Sequence, residues 1–164
     1  MVRIIGIDPG LRNAGWGVIE HEGSRLTYVA DGSVHSDAEA PLPERLLQIH
    51  SQLLAVLRDF APDEAAIEET FVTANGSSTL KLGHARAAAM LAPAAAGLPV
   101  AEYAATVVKK SLVGTGGADK RQVAFMVARL LPTAGAPTAD AADALAVAIC
   151  HAHARRVRAL GAAA

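Results

Sequence analysis

The stretch Arg3–Val34, RIIGIDPGLRNAGWGVIEHEGSRLTYVADGSV, decides how this chain folds. RIIGID, Arg3–Asp8, is short, rich in isoleucine and stopped by Pro9-Gly10, which reads as a buried strand ending at a turn. AGWGVIEHE and RLTYVADGSV follow, separated by Gly23-Ser24, and their Val, Ile, Thr and Tyr content predicts two more strands joined by tight turns. Such early strands pair as antiparallel hairpins. Asp8 stands out within them, because it closes an apolar strand where the chain leaves the sheet.

Downstream the period changes. From Leu42 to Phe60 the apolar residues Leu46, Leu47, Ile49, Leu53, Leu54, Val56 and Leu57 recur at helical spacing, with Pro41 and Pro43 near the start and Pro62 just beyond. DEAAIEE predicts a short strand running into Glu68, and Ser77 or Ser78 is placed to cap a helix reaching about Ala96. Pro93 is a candidate break in that helix, and Gly97 closes it. LPVAEY is another strand candidate, Thr106–Leu112 a helix, and Gly114–Gly117 a flexible link. Asp119 is placed to cap the helix Lys120–Leu131, and Thr138 the last one, to about Leu160. The order three strands, helix, strand, helix, strand, helices predicts an α/β fold: a five-stranded mixed sheet flanked by helices on both faces.

A length of 164 residues suits one domain, expected over residues 1–158, with 159–164 as a short C-terminal tail. Hydrophobic content of 52% with 19% charged residues excludes a disordered chain. No apolar run approaches a membrane span, and the first residues lack signal-peptide architecture, so a cytoplasmic protein is expected. Cys150 is the single cysteine, which excludes an internal disulfide and a Cys-based zinc site. The net charge of −1 conceals an asymmetry. Residues 1–80 hold 5 Lys/Arg against 12 Asp/Glu, and residues 81–164 hold 10 against 4. A basic half with its acids at a few points suits a polyanion-binding surface around a metal site. Ordinary solvated faces account for the charge alone equally well.

TADAADAL, Thr138–Leu145, places two carboxylates in an alanine-rich helical run. Positions three apart differ by about 60° around a helix, so Asp140 and Asp143 project from one face. A first-turn acid favoured by the helix dipole explains Asp140 but explains Asp143 less well. Glu68, like Asp8, stands at the carboxyl end of a strand, where open α/β sheets commonly place ligand sites. Alternation sends Glu68 and Glu69 to opposite sides, so only one joins a given site. Each acid has an ordinary explanation by itself. Four together would be electrostatically costly without cations, and an oxygen-only donor set favours Mg²⁺ or Mn²⁺. Two such metals ~4 Å apart clamp the attacking and leaving oxygens of a phosphodiester.

GIDPG with GWGVI, AIEETF, LKLGHARA, VKKSLVGTGGADKRQV and DAADALAVAICHAH, in this order and spacing, closely resemble the RuvC family of bacterial Holliday junction endonucleases. The resemblance covers nearly the whole chain. It implies an RNase H-like fold, a homodimer and Mg²⁺-dependent symmetric nicking of four-way DNA junctions. It also implies two metals per active site, Mn²⁺ as a substitute, 5′-phosphate and 3′-hydroxyl products, and work alongside the RuvA and RuvB branch-migration complex. Asp8, Glu68, Asp140 and Asp143 match the family's four metal-binding catalytic acids. Lys109 and Lys120 match basic residues near the scissile phosphate and along DNA, with Lys120 placed to approach a leaving oxygen.

Phe71 matches an aromatic that the family uses against bases near the crossover, beside Val72 where relatives carry a second aromatic. Asn75, and Arg12 with Asn13 beside Asp8, are candidate backbone contacts. The helix holding Leu80, Leu82, Gly83, Ala87, Met90 and Leu91 resembles the family's dimer-interface helix, although an internal core helix has this look too. The competing readings are a nuclease of this fold acting on RNA or RNA–DNA hybrid, a catalytically idle junction-binding module, and a sugar-kinase-like lobe. The last needs two lobes, which 164 residues cannot supply.

Overall fold

In the computed structural model, which describes residues 1–69 and 74–161, the first strand is the axis of the molecule. β1 (Val2–Asp8) is central in a five-stranded sheet. β2 (Asn13–Glu22) and β3 (Arg25–His35) lie to one side, β4 (Glu64–Glu68) and β5 (Val100–Tyr103) to the other, in the order β3-β2-β1-β4-β5. The first three strands pair antiparallel through tight turns, while β4 runs parallel to β1 and β5 parallel to β4. Parallel neighbours need crossovers, supplied by α1 (Leu42–Phe60) and α2 (Gly76–Ala95). α3 (Ala105–Val113), α4 (Lys120–Leu130) and α5 (Ala139–Gly161) follow. This is the mixed sheet that the element order predicts.

Local chemistry sets the helix ends. Asp119 and Gln122 form a reciprocal capping box that starts α4. Thr138 accepts the Ala141 N–H at 3.4 Å on its hydroxyl and the Ala142 N–H at 2.8 Å on its carbonyl, starting α5. Two expectations for α2 are corrected. Its cap is Asn75, whose side chain accepts the Ser78 N–H at 3.2 Å, rather than Ser77 or Ser78. Pro93 does not break it, because the proline sits in the last turn and removes only one bond near the end. Gly97, left-handed at φ 81, stops the helix: its N–H meets Ala94 O and the Leu98 N–H meets Pro93 O, both at 3.0 Å.

Strand alternation divides the core into two layers. Ile5 and Ile7 of β1 join Val18, Val34, Ala65 and Ile67 beneath α1 and α2. Ile4, with Ile19 and Ala66, faces α5, α3 and α4 through Leu145, Ile149, Val108, Leu112, Val123 and Val127. Parity therefore puts Gly6 and Asp8 of β1, and Glu64 and Glu68 of β4, on the α5 face. Gly6 and Gly17 are register partners, and Gly15 lies opposite Asp8. A Cβ on Gly6 would overlap the Ala144 carbonyl of α5, and one on Gly15 the Asp140 carbonyl. Bare backbone on the sheet lets α5 settle directly upon it, which draws the helix's first turns down to the end of β1.

Candidate active site

At the carboxyl ends of β1 and β4 a cleft of about 270 Å³ opens, lined by Asp8, Glu68, Ala105, Val108, Lys109, Lys120, Val123, Asp143 and Ala146. Asp8 comes from the end of β1, Glu68 from the end of β4 and Asp143 from the second turn of α5. Asp140, half-buried one turn earlier in α5, acts on Asp8 through its charge without lining the cleft itself. Lys109 reaches in from α3, and Lys120 from the first position of α4. Lys120 Nζ donates to Asp143 Oδ2 at 3.1 Å.

The electrostatics are those of acids forced together. Burial, then the charges of Glu68, Asp143 and Asp140, push Asp8 up to about 7 from an ordinary 3.8, with Lys120 opposing. Burial and Asp143 raise Glu68, against Lys109 and Lys120. The hydrogen bond to Asp143 and then its charge raise Lys120, so it stays an ammonium. One ion pair leaves the cluster under-neutralised. Among the described residues no three Asp, Glu, His or Cys side chains stand gathered as a metal cage, and Lys120 holds an Asp143 oxygen. The donor chemistry nonetheless fits a hard divalent cation: carboxylate oxygens from three elements around a half-enclosed cleft, with a negative excess that Mg²⁺ neutralises.

Other candidate residues lie elsewhere. Arg12 is exposed in the turn after β1, and Asn13 begins β2 with its Oδ1 2.8 Å from His35 Nδ1. Asn75 caps α2. Along α2, Leu80 is exposed, as are Gly83, Ala87 and Leu91, while Leu82 is half-buried. Met90 packs against the core beneath α1. Phe71 and Val72 lie outside the described residues.

Residues 4–151 match the family described as "Crossover junction endodeoxyribonuclease RuvC". The relative of that description from Maricaulis maris is 66% identical over 163 residues, covering 99% of this chain and 98% of its own length. The chain belongs to the RuvC family. A second family protein, from Paramagnetospirillum magneticum, is 63% identical over 154 residues, covering 94% of this chain and 93% of its own. Among solved structures, Thermus thermophilus RuvC in complex with a Holliday junction substrate superposes with a TM-score of 0.89 at 36% identity. That match covers 96% of this chain and 97% of the other. The family's RNase H-like fold and its crossover junction endodeoxyribonuclease activity are thereby this chain's own.

Sequence reasoning missed three kinds of residue. Val108, Val123 and Ala146, one each from α3, α4 and α5, form the apolar wall of the cleft, and as inward-facing helix positions they carry no signal apart from core. Arg86 holds the strand end that carries Glu68: its Nε donates to the Glu68 carbonyl at 3.1 Å and its guanidinium pairs with Glu102. The third kind is the glycine set under α5. Its signal was present in GIDPG and AGWG, as glycines one strand-register apart in residues otherwise rich in isoleucine and valine.

Proposed function

We propose that Asp8, Glu68, Asp140 and Asp143 hold two Mg²⁺ ions and carry the family's junction-cutting activity in this chain. The observation behind this is Asp8, pushed up to about 7 by burial among three other acids, a charge excess that divalent cations relieve. Held by these carboxylates, Mg²⁺, or Mn²⁺ in its place, would supply activation of a water and neutralisation of the phosphodiester charge, for 5′-phosphate and 3′-hydroxyl ends. The protein does the rest. The carboxylates bind and orient, Val108 and Val123 keep bulk water from one wall, and Lys109 and Lys120 face the strand's phosphates from α3 and α4. Lys120, once released from Asp143, is placed to donate to the departing oxygen.

The reading extends to a homodimer through the exposed Leu80, Gly83, Ala87 and Leu91 of α2, since two-fold symmetry presents two equivalent clefts to opposed strands. Phe71, Arg12, Asn13 and Asn75 are proposed as further DNA contacts. RuvA and RuvB are proposed as partners on family membership. The deciding experiment maps nicks on end-labelled four-way junctions and matched linear duplex, with Mg²⁺ or with chelator. Paired nicks on opposed strands, on the junction alone and with metal alone, are expected, and Asp143→Asn should bind junctions without cutting them. Cutting confined to RNA-containing duplexes, or binding without cutting in Mg²⁺ and Mn²⁺, overturns the reading.

A further inference from the structure

The outer face of α4 carries a row of side chains that the cleft does not use. Arg121, Phe125 and Arg129 follow at intervals of four, so they share one face within about 80° and span about 12 Å. All three are exposed, Phe125 at 65%, and no other Phe, Tyr or Trp ring among the described residues is exposed. No acid interrupts the row: after its cap α4 holds Lys120, Arg121 and Arg129, and its first turn contains no Asp or Glu. Two cations at the positive end of a helix oppose the macrodipole. Asp143 pairs with Lys120 and the Asp119 carboxylate is taken up in the capping box, while Arg121 has no ion-pair partner among the described residues. Among the described residues neither Arg121 nor Arg129 makes an ion pair or a hydrogen bond, whereas Arg3, Arg86 and Arg155 pair with Glu20, Glu102 and Glu64. Two unpartnered guanidiniums thus flank an exposed ring on a helix that begins inside the cleft.

We propose that this face binds the sugar–phosphate backbone of a duplex arm running away from the cleft, an assignment that rests on the junction-cutting reading above. Arg121 and Arg129 meet phosphates on either side of a groove, since their ~12 Å span is comparable with the width of the major groove. Phe125 packs its ring against the sugars between them. Lys120 at the head of the same helix faces the cut strand, so arm and cleft form one track. Charge selects DNA over a protein partner: both charges in the row are cationic, and its neighbours Gln122, Ala124 and Ala128 add little apolar area around a single ring.

The test measures junction affinity of the full chain across salt concentrations, without cleavage in chelator, and cleavage at saturating junction in Mg²⁺. Arg121→Ala with Arg129→Ala should lower the slope of log affinity against log salt by about 1.8, two phosphates at ~0.9 each. It should leave the saturated cleavage rate unchanged. Phe125→Ala should weaken binding roughly fivefold to tenfold at unchanged slope, and its exposed position keeps the fold intact, checked by thermal melting. Shortening the junction arms should erase the difference between wild type and variants. If wild type cuts junctions and the double variant keeps the full slope, the α4 assignment is overturned alone. A lowered slope with no cutting by either protein overturns the nuclease reading and leaves α4 standing. Wild type that binds no junction overturns both. If Phe125→Ala instead changes the sedimentation of the free protein at full junction affinity, the face is a protein interface and the proposal falls.

Discussion

Glu64 and Glu68 open and close the same short strand, face the same helix and meet opposite surroundings. Arg155 Nε reaches both oxygens of Glu64, at 2.9 and 2.8 Å, and His151 Nε2 lies 2.7 Å away. Burial acts to raise Glu64, but the bonds from Arg155 and His151 hold it below the ordinary carboxylate value. Burial lowers His151, which suits a neutral ring whose Nε2–H donates to Glu64 while Nδ1 accepts the Tyr103 hydroxyl at 2.8 Å. Every group at that end has a partner. At the other end, about 13 Å along the strand, Glu68 and Asp8 are raised and share two lysines with Asp143. One helix makes the difference. α5 brings Asp140 and Asp143 from its first turns to one end of β4 and Arg155 from its second half to the other, so the same residue type becomes an anchor at one end and a ligand candidate at the other.

The two ends of β4 should differ most in activity. Asp8→Asn and Glu68→Gln should reduce junction cleavage by at least about 10²–10³-fold, the scale on which loss of one transition-state-stabilising group is felt. Glu64→Gln should keep the rate within the order of magnitude of wild type, as nick mapping at matched concentration would show. Equal losses at both ends would erase the distinction.

Stability without metal should move in opposite directions. Asp8 titrates near 3.8 when unfolded and at about 7 in the fold, so its contribution is complete below about pH 4 and lost as pH rises through 7. In chelator at pH 8, Asp8→Asn should therefore be more stable than wild type, by roughly 4 kcal/mol at most, with the gap closing toward pH 4. Glu64 has the other sign. Its lowered value gives stability present above the ordinary 4.5 and lost as pH falls through the lowered one. Glu64→Gln should melt below wild type at neutral pH and converge with it in acid.

Mg²⁺ at a hundred times its dissociation constant should stabilise wild type by ~2.7 kcal/mol at pH 8. The gain should shrink at pH 6, where protons compete for Asp8, and vanish in Asp8→Asn combined with Asp143→Asn. Glu64→Gln should retain it in full by thermal melting.

Much of this was legible along the chain because the signals are short-ranged. Isoleucine density and Pro9-Gly10 mark β1, and apolar period marks α1. Asp119 and Gly97 mark helix ends through bonds made within four residues. The α2 cap differs from the expectation because three polar residues within four positions, Asn75, Ser77 and Ser78, each satisfy the same local rule. The extended backbone at Asn75 and its side-chain bond to the Ser78 N–H select among them. Arg86 carried no local signal, since its partners Glu68 and Glu102 lie 18 and 16 residues away.

What the sequence by itself determined is the set of elements, the face each strand residue takes, and the identity of the acids at the strand ends, all consequences of backbone geometry and side-chain period. The tertiary structure alone decided how those acids behave. Burial and Coulomb interaction depend on which distant segments meet, and here they meet because glycines at positions 6, 15 and 17 let α5 lie directly on the sheet. That contact sets Asp143 and Asp140 against Asp8 and Arg155 against Glu64, and so separates a charge-strained cleft from a fully paired end.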